Sequence, residues 1–295
     1  IREFVQSLQI PQPTYAYDSA LRARIKEIVS AWDFIGNMRP QLLTGVTLAE
    51  TSYNHITNVD TKAAIALYCA LFAYIDDKKV FDAMVAQRFP RQLCCPSPDD
   101  SSFLVALRSV LLSMWDWYSD FGANTILYGG LEFINGSMLE SAPGDSQIIQ
   151  ARTLPLVELR RNMAGIPDPF LCFIWEKSVF PDETLYAEAI PDVRVYSDYI
   201  NDILSFYKEE MKGEVDNYVH ARARITEKAV VETLHDVVRE TVAAAERVRR
   251  TLGEGRARDA WDRFEQGFIR FHLRDPRYRL QDVLGTHWDY LVPLL

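Results

Sequence analysis

An all-α fold, one helical bundle, is what this sequence predicts, and three observations carry that prediction. Apolar residues recur at helical spacing over long stretches. The clearest is 226–252, where Val230, Val231, Leu234, Val237, Val238, Thr241 and Val242 form one stripe. No alternating run of β-branched residues calls for a sheet, and there is no internal repeat. Finally, 196–218 (YSDYINDILSFYKEEMKGEVDNY) sets a polar stripe inside an aromatic-rich helix. The 295 residues are expected to make a single domain spanning 1–295.

In chain order, residues 1–16 carry Pro11 and Pro13 and read as an irregular lead-in. Residues 18–36 read as a helix with Leu21, Ile25, Ile28, Val29 and Trp32 on one face, ended by Gly36. Thr47-Leu48-Ala49-Glu50 has the capping-box pattern of a helix start. Residues 61–77 are apolar nearly all round, which predicts a buried helix, and they run into Asp76-Asp77. Residues 91–101 read as a loop. Residues 102–121 and 123–142 read as two helices broken around Gly122, rich in Trp115, Trp117, Tyr118, Phe121 and Phe133. Residues 143–150 read as a polar loop. Helix is expected again over 170–178, 183–212, 226–252 and 257–274, with 213–222 as a polar exit from the second of these stretches.

Hydrophobic residues make up 48% and charged residues 25%, the balance of a soluble globular protein. A net charge of −9 argues against a nucleic-acid backbone as partner, so an anionic ligand needs local cations or metal ions. The apolar run near 63–75 is too short for a membrane span, so no stable membrane insertion is expected. Cys69, Cys94, Cys95 and Cys172 contain no C-x-x-C pair, which favours a reducing, intracellular (cytoplasmic) setting. The chain opens on Ile1, from which a missing native N-terminus is expected.

The chemistry is concentrated in Asn201, Ser205 and Glu209. A spacing of four puts an amide oxygen, a hydroxyl and a carboxylate on one helical stripe. That hard-oxygen set suits Mg²⁺ and is a poor one for zinc or copper. Lys208 falls close to the same stripe, as expected where metal and cation share a polyanion such as diphosphate. The same residue types also decorate solvated helix faces. Here Tyr196, Tyr199, Ile200, Ile203, Leu204, Phe206 and Tyr207 surround the stripe, and a polar stripe in such a helix is either paired or used. Asp76-Asp77 at the end of a buried helix reads either as a solvated helix end or as Mg²⁺ ligation at a cavity mouth. Arg160-Arg161 and Arg277-Tyr278 supply hydrogen-bond donors for phosphate, or plain surface charge.

The stretch NDILSFYKE resembles the second metal-binding motif of class I terpene synthases, N-D-x-x-S-x-x-x-E, and its wording is especially similar to the fungal trichodiene-synthase-like group of sesquiterpene synthases. That resemblance spans roughly residues 60–285 and is strongest over 196–210 and 267–280. It implies an isoprenoid synthase helical bundle and a lyase reaction on an allylic prenyl diphosphate. Three Mg²⁺ ions are implied, with Asp76, Asn201, Ser205 and Glu209 as ligands and Asp77 as a secondary one. Asp76 and Asp77 match the first two positions of the family's Asp-rich motif. Val80 stands where D-D-x-x-D requires Asp, and Asp82 lies two further on. Diphosphate contacts are implied for Arg160, the better match by position, with Arg161 second, for Lys208, and for Arg277 and Tyr278, which match an R-Y pair in the family's D-R-R-Y-R-L stretch; Pro276 replaces its first Arg. Farnesyl diphosphate is the favoured substrate, with geranyl diphosphate as the alternative, and a cyclic product or a linear alcohol of the linalool or nerolidol type follows. A prenyl chain-elongation enzyme is the nearest rival but needs a second D-D-x-x-D. A non-catalytic helical scaffold that kept the fold is a further alternative. The family often dimerises, so a homodimer is an open expectation.

Overall fold

Residues 59–75 hold almost nothing but apolar side chains after Lys62, and that composition puts them in the middle of the molecule. In the computed structural model, which describes residues 1, 3–4, 17–86, 88–140 and 152–284, they form a helix buried along nearly its whole length. In chain order the helices are α1 (Ser19–Val29), α2 (Arg39–Ser52), α3 (Val59–Ile75), α4 (Lys78–Ala86), α5 (Phe89–Cys94), α6 (Ser102–Trp117), α7 (Asp120–Glu140), α8 (Leu154–Gly165), α9 (Pro167–Cys172), α10 (Ile190–Lys212), α11 (Tyr218–Thr226), α12 (Val230–Leu252), α13 (Arg256–Arg274) and α14 (Leu280–Leu284). Short 3-10 turns stand at Ile35–Asn37, Glu183–Leu185, Ala187–Ala189 and Pro276–Tyr278. The described residues contain no strand.

The start of α3 is fixed by Asn58, whose Oδ1 accepts from the Asp60 and Thr61 amides at 2.9 and 3.4 Å. Two glycines let helices touch backbone to backbone. A Cβ on Gly45 of α2 would stand 2.2 Å from the Ala66 carbonyl of α3, and one on Gly267 of α13 would stand 2.1 Å from the Thr51 carbonyl of α2. α2 packs against both α3 and α13, and Asp76 after α3, His272 near the end of α13 and Asn201 in the middle of α10 line one cavity.

Several sequence expectations need correction. Thr47–Glu50 lies inside α2 and starts no helix. Thr47 Oγ1 bonds back to the Leu43 carbonyl at 2.8 Å, and Glu50 is buried against Arg22 at 2.8 Å, so the carboxylate serves a distant cation rather than a cap. The first helix stops at Val29, short of Gly36. The break between α6 and α7 falls at Tyr118–Ser119, and Gly122 sits in the first turn of α7, its amide bonded to Ser119 Oγ at 3.2 Å. The expected exit at 213–222 contains the start of α11, capped by Asn217, whose Oδ1 accepts from the His220 amide at 3.0 Å. The helix expected over 183–212 regularises only at Ile190, after two 3-10 turns. The one expected over 170–178 is α9, which ends at Cys172. Cys94 belongs to α5, so the loop expected from 91 begins after it. On α12, Val231 and Val242 face solvent, and the buried stripe is Leu234, Val237, Thr241, Ala244 and Val248. The expected loop at 143–150 and most of the lead-in at 1–16 lie outside the described residues. No described helix is long and apolar enough to cross a membrane.

Candidate functional site

The polar stripe of α10 opens onto two chambers that meet at Asn201 and Arg161. The inner one has a volume of about 190 Å³ and an apolar wall made by Tyr68, Phe72, Phe133, Phe170, Phe268 and Phe271. Asp76, Arg277 and Tyr278 also line it. The outer one, about 240 Å³, carries the charged and polar side chains of Arg160, Asp202, Glu209, Asp216 and Asn217 beside Val157, Tyr218 and Ala221. An aromatic pocket beside an antechamber with charged side chains suits a ligand with a hydrocarbon tail and a charged head. Of the aromatics singled out between 115 and 133, only Phe133 is part of the inner wall; Tyr118 is core and Phe121 is exposed.

The walls of the site differ in construction. On α10, Asn201 Nδ2 lies 3.2 Å from His272 Nε2 and 3.4 Å from Tyr278 Oη. Arg277 Nη2 donates to the same Tyr278 oxygen at 2.6 Å. Asp275 caps the 3-10 turn by accepting from the Arg277 amide at 3.0 Å, and Thr44 Oγ1 donates to its other oxygen at 3.2 Å. Tyr278, with Asp275 and Asp76 behind it, raises the Arg277 pKa despite burial. Burial pulls the Lys208 pKa down, against the pull of Glu209 at 3.6 Å, and its Nζ sits 5.2 Å from the Tyr278 ring. Ser205 is buried one turn beyond Asn201 and is not part of either chamber's lining. Ser197, one turn before Asn201, extends the stripe into the inner chamber; it is buried, and its Oγ has no partner among the described residues.

Arg161 and Arg160 separate clearly. Arg161 reaches both chambers, while Arg160 lines only the outer one. The Arg161 guanidinium is held by Asp202 Oδ2 at 2.8 Å, by Asp198 Oδ1 at 3.2 Å and by the Asp198 carbonyl at 2.6 Å. Burial pushes the Asp198 carboxyl up to about 8 and Asp202 up to about 6, with the Arg161 charge opposing both. Gly165 makes this approach possible, since a Cβ there would fall 2.2 Å from both Arg161 Nη1 and Asp198 Oδ1. The helix breaks at once: Ile166 has φ +50, a left-handed conformation that a β-branched residue rarely adopts, and it lines the inner chamber.

The α3 end is open by comparison. Asp76 and Asp77 are both exposed. Asp77 acts locally, since its Oδ1 accepts from the Lys79 and Val80 amides at 2.9 and 3.3 Å and so caps α4. Asp82 pairs with Lys78 at 2.8 Å on the surface.

His272, Asp198 and Asp202 are the residues that the sequence reading missed. His272 is fully buried, and burial pushes its pKa down to about 3. Its signal was a lone polar residue in the apolar face Phe264, Phe268 and Phe271. The signal of Asp198 and Asp202 was an i, i+4 carboxylate pair in a buried helix, which requires a cation.

A bundle of this kind, with an aromatic chamber mouthed by Asp76 on one helix and an Asn-Ser-Glu stripe on another, defines a class I terpene synthase. The chain belongs to the trichodiene synthase family, whose model matches residues 37–289. It is 42% identical over 99% of its length to monoterpene synthase 25 of Postia placenta, covering 87% of that protein. It is 32% identical over 83% of its length to terpene synthase BipA of Cochliobolus sativus, covering 78% of it. The fold matches the crystal structure of the linalool/nerolidol synthase of Streptomyces clavuligerus with a TM-score of 0.60 at 16% identity, over 89% of this chain and 98% of that one.

The family generally uses Mg²⁺. Among the described residues no three His, Cys, Asp or Glu side chains gather as a metal site. Asn201, Ser205, Glu209 and Asp76 offer oxygen donors of the kind a hard divalent ion takes; Asn201 lines both chambers, Asp76 the inner, Glu209 the outer and Ser205 neither.

Proposed function

We propose that the protein ionises an allylic prenyl diphosphate, placing the diphosphate in the outer chamber and the hydrocarbon in the inner one. The observation that supports this most directly is the junction of the two chambers at Asn201 and Arg161. Asn201, Ser205 and Glu209 on one side and Asp76 on the other would hold Mg²⁺, which when bound would supply positive charge against the departing diphosphate. Arg277 and the Tyr278 hydroxyl donate hydrogen bonds to its oxygens from the inner side, Arg160 from the outer chamber, and Arg161 from the junction. Lys208 adds charge close to Glu209. The aromatic wall excludes water and sets π faces against the cation left behind.

The inner chamber, at about 190 Å³, is not much larger than the roughly 150 Å³ that holds a benzene, which supports a short prenyl chain such as geranyl. The relative named a monoterpene synthase points the same way. Farnesyl diphosphate, which the resemblance to sesquiterpene synthases favours, requires the wall to yield.

The test is incubation with geranyl and farnesyl diphosphate separately, with Mg²⁺ and with EDTA, followed by GC–MS of the organic extract. A Mg²⁺-dependent ten-carbon product with the higher kcat/KM for the geranyl substrate is the expected result. A fifteen-carbon product alone overturns the volume argument, and no product from either overturns the reaction.

A further inference from the structure

We propose that His272 is a positioning residue that turns the Asn201 amide so that Oδ1, and not Nδ2, faces the metal. This rests on the reading of Asn201 as a metal ligand. His272 Nδ1 lies 2.7 Å from the Phe268 carbonyl. A carbonyl only accepts, so Nδ1 carries the proton. His272 is fully buried, among Phe268, Phe271 and Tyr278 rings at centroid distances of 4.7, 5.1 and 4.5 Å. With that proton on Nδ1 and the ring sealed among aromatic faces, Nε2 is a bare lone pair. That lone pair faces the Asn201 side chain at 3.2 Å and requires a donor. Only the NH₂ end of an amide provides one.

The second N–H of the same amide points to Tyr278 Oη at 3.4 Å. Both donors of Asn201 are thus taken on the α13 side, and no described residue donates to Oδ1. The flipped amide would set Oδ1 against the Nε2 lone pair and present two N–H groups to a cation. The fixed tautomer of a buried histidine thus selects the one amide orientation that can ligate a hard ion. The chain of bonds continues through Tyr278 to Arg277, so the metal ligand and the diphosphate arginine share one scaffold.

The test uses the whole purified chain without prenyl substrate. Inorganic pyrophosphate is fixed, Mg²⁺ is titrated, and the Mg²⁺ midpoint of thermal stabilisation is read for wild type, His272→Leu, His272→Gln, Ser205→Ala and Glu209→Ala. Gln keeps an acceptor near the Nε2 position; Leu removes it. Loss of an outer-shell partner costs about 10–100-fold in metal affinity. His272→Leu is therefore expected to raise the midpoint at least ~10-fold and His272→Gln no more than about threefold. A folded Leu variant with an unchanged midpoint overturns the proposal, and so does a Gln variant as weak as Leu. If Ser205→Ala and Glu209→Ala leave the midpoint unchanged, the metal reading itself fails; if they shift it and His272→Leu does not, only the role of His272 fails. Should the Leu variant not fold, wild type labelled with ¹⁵N-histidine decides. The resonance that disappears in His272→Gln must show a protonated Nδ1 and a bare Nε2, and a protonated Nε2 overturns the proposal.

Discussion

The two sides of the cavity mouth offer similar ligand chemistry in opposite states of readiness. On α10, Asn201 is fixed by a buried histidine and a buried tyrosine before any ligand arrives. On α3, Asp76 stands exposed at a helix end, and its neighbour Asp77 is engaged in capping the next helix. A ligand fixed in advance loses little freedom on binding, whereas an exposed one has more to lose. Under the proposed function the α10 side would serve as the template for the α3 side.

The largest effects fall on the template. Asn201→Ala or Glu209→Ala is expected to reduce turnover at least ~100-fold, the scale of a lost electrostatic stabiliser. Near-normal steady-state rates in both variants would defeat the metal assignment. Stability sharpens the contrast. Asn201→Ala strands buried partners and should cost about 1–3 kcal/mol in urea unfolding of the metal-free protein. Asp76→Ala, at an exposed position, should stay within about 0.5 kcal/mol while still lowering turnover. Equal losses of stability would erase the distinction between the two sides.

Next in size is Gly165→Ala. Its Cβ would occupy the space of Arg161 Nη1 and Asp198 Oδ1. A displacement near 1 Å costs up to ~100-fold in rate, so kcat should fall by roughly that order. An unchanged kcat would show that Arg161 does not need its present position.

A smaller effect is expected with pH. Burial raises the Asp198 carboxyl to about 8, above the ordinary value of 3.8 that it has in the unfolded chain. Between those two values the native state binds a proton that the unfolded chain has released. The stability this group contributes is therefore present in acid and is lost as pH rises through the folded value. The melting temperature should decline from about pH 4 to about pH 8 and level off above, and Asp198→Asn, which cannot ionise, should flatten that decline. A steeper decline in the variant would reverse the assignment.

The smallest effect separates Asp77 from Asp76. Asp77→Ala should cost about 1 kcal/mol through loss of the α4 cap. Asp77→Asn, still a capping residue, should cost only a few tenths. A collapse of turnover in Asp77→Asn would place that carboxylate on the metal after all.

The legibility of these features in the sequence followed their range. The buried α3 and the stripe on α10 were readable because periodicity is local: each turn repeats the same demand. The Thr47–Glu50 pattern misled for the same reason, since the partner of Glu50 is Arg22, 28 residues away. His272 meets Asn201 across 71 positions, and Arg161 meets Asp202 across 41. No spacing rule along one helix predicts such pairings. What the sequence does carry is the demand itself, a polar group in a face that must be buried, without the address of its answer.

The cap formed by Asp77 bears on how relatives of this chain are to be recognised. If its oxygen serves two backbone amides, then serine, threonine or asparagine meets the same need, and position 77 is free to drift among them over evolutionary time. A search pattern that insists on adjacent acids at the end of this helix would then discard true members of the family, while one that asks for a single acid followed by any capping residue would retain them.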